Sequence, residues 1–518
     1  MKKEWILVSL TALSAVILAN IPVFWGYLNQ PEGFVFSSVG RDDEYVYLSW
    51  IGQAKQGQWV FDNPYTTERH RRLYLNPLFL FLGKIASAFS LSPFLVFNLS
   101  RLVFGFLTLL VIYQFLSYFI KDLDLRFFTF LVICFSGGFG FLEIFNRKSD
   151  WLFYNLWVSR KTNEGLTFTS LLFYPQSTVS VALMLSYFLV QFRILKEPKV
   201  WLFVLGMCLG NLLILIHPYD IVILVLVPLV FLLLQQSEKR RWLYFFILNL
   251  TLFPSTLYTF LISQLDPVYK AWTHVPQISP PLFHFFLLYG FLAILAGLQV
   301  FSYLGQRKRG RLAFLAGWFL LLPFLVKLPV FFQRRLIEGA HIPISILASF
   351  FLFKILKKFK RSYLFFLLSI VFLSLHNIYW LNCKIDLLKN DPRGYYFLSR
   401  EKILALSWLD KQFTNRNVLA IPDDGLIIPA FTDNKVYWGH WANTPDSIKK
   451  GEVLTSFLDK NTSDFRRVDF LKKEEVDYFF FKKDKTSPVK AEIFDPIKKT
   501  YLKSIFENKE VIIFEVRV

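Results

Sequence analysis

Residues 93–119 read PFLVFNLSRLVFGFLTLLVIYQFLSYF, twenty-seven residues carrying one charge, Arg101. A helix on the surface of a soluble domain would show a polar face at the 3.6-residue period. A run this long and apolar all round fits a bilayer crossing, which needs about 20 residues. Similar blocks recur near 5–28, 127–145, 177–192, 200–216, 219–236, 242–262, 282–303, 312–326, 341–356 and 363–380. With 93–119 they predict a mainly α, polytopic membrane protein of about eleven transmembrane helices. Composition points the same way: 54% of the 518 residues are hydrophobic, 60 are Phe and only 19% are charged. The mean hydropathy is +0.42.

The charges between the blocks give the spans a direction. Lys2/Lys3, Lys121/Arg126, Arg193/Lys196/Lys199, Lys239/Arg240/Arg241, Arg307/Lys308/Arg309/Arg311 and Lys357/Lys358/Lys360/Arg361 fall on alternate loops. By the positive-inside rule the N-terminus is cytoplasmic and everything after 380 is extracytoplasmic. Residues 73–89 are apolar but short and hold Pro77 and Lys84. An interfacial or re-entrant helix there preserves the alternation. Loop retention also explains the net charge of +20. No aromatic-basic platform accompanies it, so the expected contacts are membrane lipids and not nucleic acid. Cys134, Cys208 and Cys383 form neither a disulfide framework nor a metal-ligand spacing. The first block, Trp5 to Tyr27, is too long for a signal-peptide core and reads as an uncleaved span.

Three outward regions are long enough for chemistry: about 29–92, about 146–176 and the tail. In the tail the apolar runs shorten to strand length at Asn417–Ile421, Lys435–Trp438, Asp477–Phe481 and Val511–Val516. Helical stretches, Glu401–Phe413 and Ile448–Lys460, lie between them. The expected organisation is a transmembrane domain over 1–380 and a small α/β domain over 381–518.

The densest group of reactive side chains is Gly40-Arg41-Asp42-Asp43-Glu44-Tyr45, shortly after the first span. Adjacent carboxylates near an apolar surface repel one another, which raises at least one pKa and suits general-base work. Such a cluster could also hold a divalent cation, Mg or Mn. Its plainer reading is an N-cap, by Asp42 or Asp43, for a helix from Tyr45 to Lys55.

The order Asp43-Glu44-Tyr45, Gly57-Gln58-Trp59, Asn63-Pro64-Tyr65 and Leu75-Asn76-Pro77-Leu78 resembles the first outward loop of the GT-C glycosyltransferases. It is most similar to the protein mannosyltransferase and aminoarabinose transferase branch, family 39-like. The resemblance implies an inverting enzyme with a polyprenyl-phosphate sugar as donor and a lipid, glycan or protein as acceptor. Transfer would take place on the outer face of the membrane. It also implies that Asp43 is the catalytic carboxylate, with Asp42 one register away and Glu44 beside them.

A phosphate donor needs positive charge outside. Arg334 and Arg335 stand in the outward loop 327–341 beside Phe331 and Phe332. Arg forks suit bidentate phosphate contacts, while headgroup anchoring is the plainer alternative. Arg71 and Arg72, in Arg69-His70-Arg71-Arg72, have the same two readings. Glu164 and Gln176 in the second outward loop, His217 in the turn His217-Pro218-Tyr219-Asp220, and His274 are candidates for contacts with sugar hydroxyls. Glu143 and Arg101, in or near spans, pair with neighbours or act in the site. Asp423-Asp424-Gly425 and Trp438-Gly439-His440-Trp441 mark the tail, the latter for carbohydrate stacking or for packing.

Two other functions compete. A flippase or transporter of lipid-linked glycans would bury paired charges near mid-membrane and show repeated halves. The sequence shows no repeat and keeps its charges in the loops. A GT-C scaffold without activity, serving as an assembly subunit, is the third reading.

Overall fold

A computed structural model describes residues 2–40, 42–145, 162–306, 310–391, 394–483 and 493–518. Arg41, most of the second outward loop and the basic group 307–309 lie outside the described residues. Packing divides the chain into two units. One contains Met1–Trp25, Asn98–Thr259 and Pro276–Asn390; the other contains Gly26–Phe97, Phe260–Val275 and Asp391–Val518. This grouping does not follow chain order at 380/381, because the segment after the first apolar block pairs with the tail.

The long apolar helices make this a multi-pass membrane protein. Four stretches have the length and composition to cross a bilayer: Pro93–Phe119, Pro175–Lys196, Gln333–Leu356 and Ser362–Lys389. Three bent pairs raise the number to as many as seven if each is one span: Lys3–Ala19 with Ile21–Leu28, Lys239–Leu250 with Phe253–Leu265, and Leu282–Tyr289 with Phe291–Gly305. Each bend coincides with a residue that breaks the helix ladder: Pro22, Pro254, and Gly290 at φ +54°. Val200–Ile216, Pro218–Leu234 and Leu312–Leu325 are apolar but shorter.

The expected span 127–145 is not one helix. A helix Leu123–Phe135 ends before Gly137, and a 3-10 turn follows at Gly140–Phe145. The break is tertiary. Gly137 N–H donates to the Leu373 carbonyl and Phe139 N–H to that of Leu287. A Cβ on Gly138 would lie 2.2 Å from the carbonyl oxygens of Leu287 and Leu288. Backbone meets backbone here, and only glycine permits the approach.

The second unit is built on a mixed five-stranded sheet. Strand β1 (Phe34–Phe36) pairs antiparallel with β2 (Phe397–Ser399) apart from it. The sheet itself holds β3 (Asn417–Ala420), β4 (Lys435–Val436), β5 (Tyr478–Lys482), β6 (Leu502–Glu507) and β7 (Val511–Val516), in the order β4-β3-β5-β7-β6. β3 runs parallel to β4 and β5; β7 runs antiparallel to β5 and β6. Parallel neighbours need a crossover, supplied by the helix Pro422–Phe431 and by Ser447–Leu458 with Asp464–Lys473. Leu419, Phe457, Phe479, Phe494 and Phe514 lie in one buried core between sheet and helices.

Against this sheet lies the segment that follows the first apolar block. The helix Asp42–Lys55 packs on Pro77–Ala88, where a Cβ on Gly83 would stand 2.2 Å from that of Ala54. Asn76 caps the second helix, its side chain accepting from Leu78 and Phe79 N–H, with Pro77 at the first helical position. The helix has 12 residues, fewer than a bilayer crossing needs. Between the two helices, residues 61–68 are tied to the tail. Val436 N–H donates to the Pro64 carbonyl, Asn63 Nδ2 to the Asn443 carbonyl and Tyr65 OH to that of Leu426. Lys450 Nζ reaches Thr66 Oγ1 at 3.0 Å and Glu68 at 2.9 Å.

Asp62 is the electrostatic centre of that seam. Its carboxylate is paired with His70, with Lys435 Nζ at 3.0 Å and, at 3.8 Å, with Arg72 Nε. Burial alone would raise its pKa; the bonded imidazole of His70, and then Lys435, overturn this and bring it down to about 2. A depressed carboxylate stabilises the fold above its unfolded pKa of about 4, and that contribution disappears as pH falls towards 2. Asp62→Asn removes the carboxylate shared by His70, Lys435 and Arg72, and the second unit should lose about 3 kcal/mol. In detergent its melting temperature should drop at pH 7 and converge with that of the wild type as pH falls from about 4 to about 2. Equal melting temperatures at pH 7 would remove Asp62 from this role.

Candidate functional site

In the second unit the carboxylate triplet opens the helix Asp42–Lys55, all three acids lying in its first turn. The positive end of the helix dipole favours them there. Glu44 is fully buried and its Oε2 accepts the Gly40 N–H at 3.0 Å, so it serves the helix start. Asp43 is 30% exposed and faces His440, whose Nε2 stands 3.2 Å from Asp43 Oδ1. His440 is held by its other nitrogen: Nδ1 accepts the N–H groups of Ala442 and Asn443, both at 3.2 Å. With Nδ1 accepting, Nε2 on the Asp43 side is left as the ring N–H. The Gly-His-Trp segment is seated by Tyr65, whose carbonyl accepts from Thr444 Oγ1, and by Gly425, where a Cβ would lie 2.1 Å from the Trp438 oxygen.

A cavity of about 540 Å³ opens at the other end of the same helix. Gly52, Gln53, Lys55, Arg72, Asp410 and Phe431 are among its walls. Burial raises the carboxyl pKa of Asp410, and that of Asp433 beside it. Arg72 thus faces this cavity as well as Asp62, while Arg71 is exposed and its backbone N–H donates to Asp266. His274 closes the helix Pro267–Thr273, its Nδ1 within 2.8 Å of the Lys270 carbonyl.

The first unit gathers another set. Arg335 pairs with Glu164 and donates through Nε to Gln277 Oε1 at 2.7 Å. Arg334 reaches the same oxygen at only 3.5 Å, and its buried Nε makes no hydrogen bond. The two arginines expected to act alike are therefore held differently. Gln176 donates to the Ile216 carbonyl at 2.6 Å and so closes the helix Val200–Ile216. Arg101 is buried and donates to the Phe173 carbonyl, and Glu143 is buried in the turn after Gly140.

Next to Gln176's bond, His217 meets Asp220 and Glu338, each with an oxygen 3.1 Å from His217 Nδ1. All three are buried, with ligand atoms within 4.8 Å of one another, and the group could hold a metal ion. Among the described residues it is the one such cluster; the Asp42-Asp43-Glu44 triplet, which could also have held a cation, is not among such groups, and Glu44 turns back to Gly40. Sequence reasoning had His217 and Asp220 three residues apart but not Glu338. The sequence offers carbohydrate stacking or packing for the His440 segment, with nothing to connect it to Asp43.

No family model matches the chain, and no curated protein matches it by sequence. Solved structures do match. The oligosaccharyltransferase of Archaeoglobus fulgidus, tethered to an acceptor peptide with the NVT sequon, aligns with a TM-score of 0.56 at 13% identity, over 92% of this chain and 69% of that one. The same archaeal enzyme, AglB, in complex with an inhibitory peptide and a dolichol-phosphate, aligns at 0.52 and 13% identity, over 93% and 70%. The mycobacterial arabinofuranosyltransferase AftD aligns at 0.54 and 14% identity, over 99% of this chain and 41% of that one. At such identities the likeness is one of fold, and the fold resembles that of the GT-C membrane glycosyltransferases.

Proposed function

We propose that the protein is an inverting glycosyltransferase that moves a sugar from a polyprenyl-phosphate donor to an acceptor hydroxyl at the outer face of the membrane. The reading includes about eleven spans, a cytoplasmic N-terminus and an extracytoplasmic tail. The observation that carries it is Asp43, part-exposed at a helix start with His440 Nε2 3.2 Å from one of its oxygens. The acceptor is a glycan, a lipid or a protein, and the protein mannosyltransferase and aminoarabinose transferase branch is the one its motifs favour.

In this mechanism Asp43 takes the proton of the acceptor hydroxyl while that oxygen attacks the anomeric carbon. The bond from that carbon to the phosphate oxygen breaks, and polyprenyl phosphate leaves with the bonding pair. A phosphate leaving group needs no proton, so one base suffices, with positive charge to receive the phosphate. Asp42 lies one residue away in the same turn. His440 is a positioning residue: it fixes which oxygen of Asp43 faces the acceptor. Arg334 is the better phosphate ligand of its pair, since Arg335 is engaged by Glu164 and Gln277. Arg71 and Arg72 remain candidates for the same charge, and Glu164, Gln176, His217 and His274 for sugar contacts.

Asp43→Asn should lower turnover of a labelled polyprenyl-phosphate sugar by roughly 10²–10⁴-fold with unchanged melting temperature and donor binding. His440→Gln should lower kcat about tenfold with little change in KM, the mark of a misplaced base. Full activity in both Asp43→Asn and Asp42→Asn would overturn the base assignment. Movement of the lipid-linked sugar across the bilayer with no release of polyprenyl phosphate would favour the transporter reading.

The arginines should separate. Arg334→Gln should weaken donor binding by about 1.5–3 kcal/mol, the worth of a charged hydrogen bond, and leave stability unchanged. Arg335→Gln removes the cation that faces the Glu164 carboxylate and should lower the melting temperature. Unchanged donor affinity in Arg334→Gln would reduce it to an anchor.

A further inference from the structure

The proposed transfer gives no role to Asp220 or Glu338, yet with His217 they form the most demanding charge cluster of the first unit. Their side chains are 6%, 0% and 1% exposed for His217, Asp220 and Glu338. His217 Nδ1, both oxygens of Asp220 and both of Glu338 are buried without a hydrogen bond. One imidazole stands between two carboxylates, and Arg335, three residues before Glu338, is already paired with Glu164. Excess negative charge in a buried position is costly, and neither a packing role nor a helix cap accounts for two carboxylates around one imidazole.

A cation resolves them. Zinc binds His nitrogen at about 2.0–2.1 Å and carboxylate oxygen at about 2.0–2.2 Å in tetrahedral geometry, which sets donor atoms roughly 3.3 Å apart. The two 3.1 Å separations around His217 Nδ1 are already near that value. Magnesium and calcium want six or more oxygens, and three residues including an imidazole are a poor match for them. We propose that His217, Asp220 and Glu338 bind one zinc-class divalent ion, with the fourth position left to water or a ligand. The ion ties the turn 217–220 to the 3-10 turn Gln333–Ile337, which carries Arg334 and ends at Glu338.

The test reads metal and not turnover. Protein purified without chelator should carry about one equivalent of zinc by mass spectrometry. A chelator should remove it and lower the melting temperature; zinc chloride should restore both. Cobalt chloride added to stripped protein should give the visible absorption of a four-coordinate site. His217→Ala and Glu338→Gln should lose the ion, and Asp43→Asn should keep it. Should either variant fail to fold, stripping and reloading the wild type still decides. Substoichiometric metal, no cobalt band and a melting temperature indifferent to chelator would overturn the proposal, as would full metal in a folded His217→Ala. An inactive protein that holds zinc would sink the transferase reading alone.

Discussion

A carboxylate taken out of water must be neutralised or paired, and Asp62 is where the second unit meets that requirement. His70 and Arg72 come from its own loop, whereas Lys435 comes from β4, more than three hundred residues along the chain. The pairing fixes residues 61–68 on the sheet, and much of the site follows from it. Tyr65 and Asn63 anchor the segment 440–444, and that segment turns His440 towards Asp43. The sheet's contribution is thus mechanical: it supplies backbone on which two loops meet, one bearing Asp43 and the other His440, the proposed base and its positioning residue.

The first unit solves a related problem with fewer cations. Glu164 and Arg335 neutralise each other, Gln277 receives both arginines, and His217 is shared between two acids. Arg334 is left with donor capacity, which is the property a phosphate-binding residue needs. Ion pairing sorts two adjacent, chemically identical residues into a structural one and a candidate for binding.

Local signals in the sequence were legible where structure is local. The helix over 45–55 was expected and is present with one more turn, Asp42 and Asp43 inside it. The strands expected near 417, 435, 477 and 511 all form, while β6 was missed because Leu502–Glu507 mixes Lys, Ser and Glu with its apolar residues. What could not be read depended on partners distant in the chain. The block 127–145 is mostly apolar and looks continuous; it breaks because Gly138 meets the backbone at 287–288. Three adjacent acids could have held a cation; the group of residues that could do so in the structure is assembled from positions 217, 220 and 338. Two of those stand in a four-residue turn and were noticed; the third became visible only with the fold. His440 was singled out for its aromatic neighbours, but its role lies with an aspartate nearly four hundred residues earlier.

The central claim is that the chain breaks a sugar–phosphate bond by direct displacement from an acceptor activated at Asp43. The stereochemistry of the product tests it most directly. Protein in lipid nanodiscs would be given polyprenyl-phosphate sugars labelled with ¹³C at the anomeric carbon, together with an acceptor fraction from the cell envelope, and followed by NMR. The account predicts an anomeric signal of inverted configuration appearing in step with free polyprenyl phosphate. A product of retained configuration, or a donor pool that stays intact with every sugar offered, would contradict it.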